Sequence, residues 1–431
     1  MRAGAGRCGL WVGELRELPA ARRRGMMATY LLDWLSLLLR WLHIIAGIAW
    51  IGASFYFVWL DNHLQPPRDA EGSDPGVAGE LWAVHGGGFY RSQKYRLAPA
   101  LLPPTLHWFY WEAYTTWLSG FALLCLLYFF RAEAYLIDPA VAVLSKPMAI
   151  GIAGGFIVGS WLLYDGLCRS PLGRNARALG TVLGLALAAE AWGLCQLFSG
   201  RGAFMVFGSA LGSIMVANVL FVIIPGQREL VRAKQQGRAV DPSPGLRARQ
   251  RSVHNTYFTL PVLFVMISNH YAMTYGARDN WLVLIAISFA GACIRAWFVA
   301  RHRAAERGGY VPVLPALLGA LALAAVVVAL APAPGRGAAD LPEMTAAGEA
   351  SRVQQIVQLR CVPCHAARPT QAGFSAAPNG LLLETLDQLS AHLPEVQQQL
   401  SARTMPLGNL TAMTDQERST MLLWIGHGAR R

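Results

Sequence analysis

Eight stretches of this 431-residue sequence are apolar over close to the length that a helix needs to cross a bilayer, at about 33–60, 113–130, 147–167, 178–198, 204–224, 255–275, 281–300 and 311–331. A helix rises 1.5 Å per residue, so about 20 apolar residues span a hydrocarbon core of about 30 Å. In lipid, each backbone N–H and C=O must find its partner inside the protein, and continuous apolar runs of this length do so as helices. The predicted fold class is therefore all-α: a polytopic membrane helical bundle of about eight transmembrane helices, followed by a small all-α domain. Charged residues make up 14% of the chain, against roughly 25% in soluble domains.

Orientation follows from the basic residues. The loops after the first, third, fifth and seventh apolar runs hold seventeen Lys and Arg, and the alternate loops hold four. Positive loops stay cytoplasmic, so an even helix count places both termini outside. The net charge of +12 then belongs to the inner face of a lipid bilayer, and nucleic acid is excluded as a partner. Arg22, Arg23 and Arg24 oppose this orientation, yet Met26 and Met27 follow at once. Residues 1–25 have no apolar core suited to a signal peptide and read as a non-native or disordered extension.

Residues 332–342 form a Pro/Gly/Ala linker, and 343–431 a more polar domain. Within it lies Cys361-Val-Pro-Cys364-His365, the spacing of a covalent c-type haem site. Two thiols add to the haem vinyl groups and the adjacent imidazole faces the iron. Alternatives for such a pair are a redox-active dithiol or half a zinc site. Met405, forty residues after His365 and followed by Pro406, is the predicted second axial ligand, with Met413 as its rival. A Met/His pair raises the iron's potential and suits electron acceptance. A helix over 343–360 and a closing helix started by a Thr414/Glu417 capping box complete a cytochrome c domain. Cys125, Cys168, Cys195 and Cys293 lie in or beside apolar runs and read as buried hydrophobes.

Within the membrane-type region, His63, His85, His107 and His254 fall toward the cytoplasmic side, and His43 and His270 toward the outer side. Ionisable groups at membrane depth are costly and mark functional positions. His85, Lys94, His107, Glu112 and His254 are candidate catalytic residues, and His43, His63 and His270 candidate ligands of a non-covalent haem b. Gly86, Gly87 and Gly88 after His85 suit either close approach of a flat ligand or a simple turn. Asp165 and Arg295 are expected to pair.

The stretch "HGGGFYRSQKY" with "LHWFYWEAYTTWLSGF", together with "CVPCH" and "TMPLGN", resembles the bacterial membrane-bound urate oxidase family, whose members join a multi-helix membrane domain to a C-terminal cytochrome c. The resemblance covers essentially Met26 to the end. It implies a urate oxidase domain over 26–331, an inner-membrane location with the cytochrome periplasmic, and oxidation of urate to 5-hydroxyisourate. Electrons would pass to haem c and then to a respiratory acceptor, not directly to oxygen. His43, Trp50, Gly52, Phe55 and Tyr56 are similar to the first helix of membrane-bound protoporphyrinogen oxidases, which implies a membrane haem. The competing readings are a haem-containing dehydrogenase of a quinol or porphyrinogen, and an anchored electron relay without catalysis of its own.

Overall fold

The computed structural model describes residues 20–67, 76–96, 98–307, 309–331, 346–371, 374, 376–401 and 403–429. The predicted linker and the first nineteen residues lie outside these. Helix α1 runs Ala20–His63, and so begins before Met26. A hairpin follows, β1 (Val77–His85) and β2 (Gly88–Tyr95). Then come α2 (Trp111–Leu123), which continues as a π turn over Leu124–Phe129, and the short α3 (Ala132–Tyr135). Helices α4 (Lys146–Arg169), α5 (Ala176–Leu197) and α6 (Gly200–Asn218) follow. A second π turn, Val219–Ile223, joins α6 to α7 (Ile224–Gln235). Next are α8 (Ser243–Ser268), α9 (Ala272–Tyr275), α10 (Asn280–Arg307) and α11 (Leu314–Ala329).

Among the described residues, five helical segments are long and apolar enough to cross a membrane: Tyr30–His63, Lys146–Arg169, Ala176–Leu197, Gly200–Gln235 and Asn280–His302. Each overlies one of the eight predicted runs. The other three predicted runs are helical as well but fall short of that length or composition. Leu314–Ala329 is a shorter apolar helix, α2 gives way to its π turn, and α8 differs most from expectation. It starts twelve residues before the predicted 255 and stops at Ser268, which leaves His270 beyond its end. Its first turns carry Arg247, Arg249 and Arg251, charges that a hydropathy reading assigns to a loop.

The region is not purely α-helical. Residues 77–95 pair as an antiparallel hairpin closed by Gly86 and Gly87, with φ of +57° and +80°. Positive φ at both central residues is the turn that matches strand twist, which explains the glycine pair. A backbone bridge between Gln65 and Glu80 ties the hairpin to the end of α1.

The bundle is built around α6, whose helical stretch is the most enclosed of the five, with 67% of its apolar window buried. Phe204, Phe207, Leu211 and Ile214 lie in one core with Tyr164 of α4, Leu194 of α5 and Val265 of α8. Caps set two of the helix starts. Asn175 accepts from the Arg177 and Ala178 N–H groups, and Ser199 accepts from Gly202 N–H.

The C-terminal domain contains α12 (Ala346–Arg360), α13 (Leu386–Ser390), α14 (Leu393–Ser401) and α15 (Asp415–Gly426). Helices α12 and α15 pack together over a second core of Val353, Ile356, Val357, Met421 and Trp424. The Thr414–Glu417 capping box is present in both directions. Removing its hydroxyl with Thr414→Ala should cost about 1 kcal/mol, read as a lower melting temperature of the domain.

Partial burial pushes the Glu417 carboxyl up, but hydrogen bonds from Arg360 and Thr414 outweigh this and hold it below the usual carboxylate range. Its stabilising effect is complete above the unfolded value, about 4.3, and is lost as pH falls through the lower folded value. Acidification should therefore lower the melting temperature of this domain less steeply in Glu417→Gln than in the parent. Identical acid profiles would show that the carboxylate contributes nothing.

Candidate functional site

In the C-terminal domain, the end of α12 winds directly into the cysteine pair. Cys361 N–H donates to Val357 C=O at 2.9 Å, and His365 N–H donates to Cys361 C=O at 2.9 Å. This one turn brings both thiols and the imidazole to the end of one helix. Both thiols are free, and burial pushes Cys361 up to about 12. His365 Nδ1 donates to Leu381 C=O at 3.0 Å, which fixes the ring and leaves Nε2 as its coordinating atom. Carbonyl support of that kind orients metal-bound histidines.

The segment that carries Met405 is tied to the same helix end. Arg360 pairs with Glu417 at 3.0 Å and donates to Thr411 C=O, while the Thr411 hydroxyl returns a bond to Arg360 C=O at 2.9 Å. Arg418 Nη1 donates to Met405 C=O at 2.7 Å and to Leu400 C=O at 3.1 Å. Met413 is buried within the apolar core, whereas half-buried Met405 lies outside that cluster. Two thiols, an oriented imidazole and a thioether on a braced loop fit a covalent haem c. Among the described residues no three His, Cys, Asp or Glu side chains group as a metal-ion site, so the zinc alternative gains no support.

The second site lies in the bundle, where α4, α6 and α8 meet near the arginine-rich end. Tyr164 hydroxyl and His254 Nδ1 are 2.8 Å apart, and Asn218 Nδ2 donates to the Tyr164 oxygen at 3.0 Å and to Asn255 Oδ1 at 2.9 Å. An amide nitrogen is only a donor, so the Tyr164 proton points to His254, and His254 Nδ1 accepts it. The donor inventory thus assigns His254 its Nε2–H tautomer. Cys168 Sγ lies 3.9 Å from the same nitrogen.

Arg251, one turn before His254, is 3% exposed and sits 4.8 Å above the Tyr164 ring. It donates to Asp165 at 2.7 Å, and Asp165 also pairs with Arg169 at 2.6 Å. The expected Asp165–Arg295 pair is absent, because the early start of α8 delivers Arg251 to Asp165. Arg295 instead donates to the Thr256 hydroxyl at 3.1 Å. Two buried atoms of the cluster find no partner among the described residues: the donor Arg251 Nη1 and the acceptor Asn218 Oδ1.

Arg251 and Cys168 also border a cavity of about 720 Å³, within the range of small-molecule sites. Arg169, Arg174 and Arg247 line it, with Glu229 as its acidic member. Phe221 and Val222 of the second π turn form part of the wall. Such turns insert a residue into a helix and recur at functional sites.

The remaining predicted site residues lie apart from this cluster. His85 is exposed at the end of β1, and Lys94 pairs with Asp61 at 2.6 Å. His107 packs edge-on to Phe109 at 4.6 Å, and Glu112 sits in the first turn of α2. His63 stacks on Trp59 at 4.8 Å with His302 at 5.4 Å. His43 Nδ1 donates to Thr116 C=O at 2.9 Å and lies 3.2 Å from the Ser119 hydroxyl. His270 is exposed. Of the candidate catalytic residues, only His254 joins the Tyr164 cluster. Tyr164, Asn218, Asn255 and Arg251 were not anticipated, although Arg251, His254 and Asn255 share one face once α8 is extended to Ser243.

A family model described as urate oxidase N-terminal matches residues 29–331, which is α1 to the end of α11. No curated protein and no solved structure matches the chain.

Three results are expected. Haem staining of a denaturing gel should mark the full-length band and vanish in Cys361→Ser/Cys364→Ser. Met405→Ala should remove the sulfur–iron absorption band while Met413→Ala keeps it; the opposite outcome would exchange their roles. Arg251→Met leaves Asp165 with only the exposed Arg169 as partner and should destabilise the bundle by up to about 3 kcal/mol, and adding Asp165→Asn should recover part of that loss.

Proposed function

The chain belongs to the urate oxidase N-terminal family, and from that premise we propose that its membrane domain oxidises urate to 5-hydroxyisourate and hands the electrons to its own C-terminal domain. The family makes the chain an oxidoreductase of urate-related chemistry. The observation that carries the finer reading is the arginine-lined cavity bordered by Arg251, the one member of the Tyr164–His254–Asn218–Arg251 cluster that forms part of its wall.

Urate is a planar anion whose rim alternates N–H donors with C=O acceptors. Arg174, Arg247 and Arg251 supply the cationic field that concentrates such an anion in a confined cavity. Arg251 borders the cavity and its spare donor Nη1 complements the C=O acceptors of that rim; pairing it removes the penalty of leaving a buried polar atom unpaired. Arg251 also limits access to the substrate form that carries negative charge.

The balance is urate plus water giving 5-hydroxyisourate, two protons and two electrons. Water adds its oxygen to the C5 carbon of the purine and loses a proton, and a base must take that proton. Tyr164 and His254 form the relay for it: the Tyr164 hydroxyl already donates to His254 Nδ1, so proton uptake at the imidazole moves along an existing hydrogen bond. Asn218 holds the phenol oxygen in place from the other side. General-base relays of this kind are worth about 10²–10⁴ in rate.

Cys361 and Cys364 would anchor a haem c, and His365 and Met405 would be the residues that ligate its iron. A haem held there would supply one-electron redox chemistry, with a respiratory acceptor downstream. The cluster and the C-terminal domain lie at opposite ends of α4, whose 24 residues extend roughly 36 Å. A b-type haem within the bundle would divide that distance. His43 is the ligand this reading assigns, since Thr116 C=O braces its Nδ1 as Leu381 C=O braces that of His365. His63 and His270 remain the alternative ligands.

With eight membrane crossings, the arginine-rich end faces the cytoplasm and the C-terminal domain the periplasm of a bacterial inner membrane. Two observations support this sidedness. The C-terminal domain packs against the arginine-poor connection around α3, and α11 runs from the arginine-rich end toward that same side.

Mixing oxygen-free protein with urate should reduce the c-type haem and yield no peroxide. Stoichiometric peroxide with the haem still oxidised would mark a direct oxidase. Tyr164→Phe and His254→Ala should slow urate-driven reduction about 10²-fold or more while dithionite still reduces the haem fully. Wild-type rates in both variants would remove the relay.

A further inference from the structure

The two domains meet through backbone. The turn Leu407–Asn409, two residues beyond Met405, packs on α3 (Ala132–Tyr135). Gly408 adopts φ of +56°, and a Cβ placed there would sit 2.5 Å from Ala134 C=O and 3.3 Å from Glu133 C=O. The approach is therefore closer than any side chain permits. Charge complements shape: Asp138, next along from α3, feels the positive field of Arg403 and Arg418 of the C-terminal domain without forming an ion pair with either, and Arg403 itself pairs with Asp415 at 2.9 Å. Arg418 is the residue that braces Met405 C=O.

Beneath this contact the membrane domain is filled and ordered. Arg201 stacks on the Tyr135 ring at 4.9 Å, and the Tyr128 ring lies 6.0 Å from that of Tyr135. Tyr128 hydroxyl and Arg201 Nε both donate to Asn269 Oδ1 at 2.8 Å, and Ser199 Oγ donates to Tyr135 C=O at 2.8 Å. Among the described helices and turns of the C-terminal domain, this turn makes the most extensive packing contact with the bundle.

We propose that this docked surface is the electron-transfer port of the chain, where electrons leave the membrane domain through the Tyr128–Tyr135 region and enter the C-terminal domain at its Met405 side. The proposal rests on the urate-oxidising reading above. One electron at a time and no proton would cross this contact, released by urate oxidation in the membrane domain and taken up in the domain whose Cys361, Cys364, His365 and Met405 would hold a haem c. Tyr128 and Tyr135 act as positioning residues: they fill the gap with covalent and hydrogen-bonded matter in place of solvent. The Gly408 contact holds the two domains at that distance, and the attraction between Asp138 and the arginines opposite it favours the approach.

The test uses the full-length, haem-loaded protein with a protease site inserted in the 332–342 linker. After cleavage, the parental C-terminal domain should co-elute with the membrane domain. Asp138→Arg should release it, and Asp138→Arg/Arg403→Glu should bring it back. In uncleaved protein, Asp138→Arg should slow haem reduction by urate at least tenfold with an unchanged haem spectrum, and the charge-swapped pair should restore the rate. Because Arg418 braces Met405 C=O, the unchanged haem spectrum is the control that Asp138→Arg has left the Met405 ligand in place. Undiminished reduction or unaltered co-elution in Asp138→Arg would overturn the port. A parental protein whose haem urate cannot reduce would instead overturn the substrate reading, a result recognisable before any variant is made.

Discussion

A guanidinium enclosed in an apolar bundle sets the terms for everything around it. Arg251 cannot shed its charge, and leaving a buried charge unpaired costs several kcal/mol. It is held by Asp165, by the face of Tyr164 and by the geometry that lets both reach it from α4. That requirement brings α8 against α4 one turn before His254, which in turn places the imidazole on the Tyr164 hydroxyl. Asn218 completes the arrangement from α6, with both amide hydrogens already committed. One buried charge thus aligns three helices and leaves one unpaired donor on a residue that borders the cavity.

The two sites share a design although their chemistry differs. At each, an arginine ties separate segments together through carbonyls or a carboxylate: Arg360 and Arg418 in the C-terminal domain, Arg251 in the bundle. At each, a histidine is fixed through Nδ1, by Leu381 C=O for His365 and by Tyr164 for His254. Fixing one nitrogen decides what the other can do, which is how a flexible ring becomes a directional group.

What the sequence made legible follows from which forces are local. Apolar runs of membrane length, the Cys-x-x-Cys-His spacing and the Thr414/Glu417 box are all properties of neighbouring residues, and each can be read along the chain. The hairpin at 77–95 was less visible because its strands mix Trp, Val and Tyr with Glu, Arg and Lys, so no clean alternation marks it; only Gly86-Gly87 hinted at the turn. The start of α8 was misplaced for a related reason: Arg247, Arg249 and Arg251 interrupt the hydropathy, and only tertiary pairing with Asp165 makes a helix through them favourable. With α8 read as starting at 255, Arg251 fell in a loop and paired Asp165 with the wrong arginine. Tyr164 and Asn218 lie in ordinary apolar runs, where nothing local separates a tyrosine or an asparagine in a network from one that merely packs.

The π turn between α6 and α7 gives one continuous rod two independent headings. An α-helix advances by 100° per residue, so one inserted residue rotates everything beyond it by about that angle. Before the turn, Asn218 looks inward to Tyr164. Past it, Gly226 lies against the start of α8, where a Cβ would come within 2.9 Å of Pro244 C=O. A regular helix of the same length has a single phase, and satisfying one of these partners would turn the rod away from the other. The extra residue therefore works as a coupling between two parts, much as a keyed joint lets two machined shafts be clocked separately. The buried half and the arginine-bearing half can each diverge in sequence without misaligning the other.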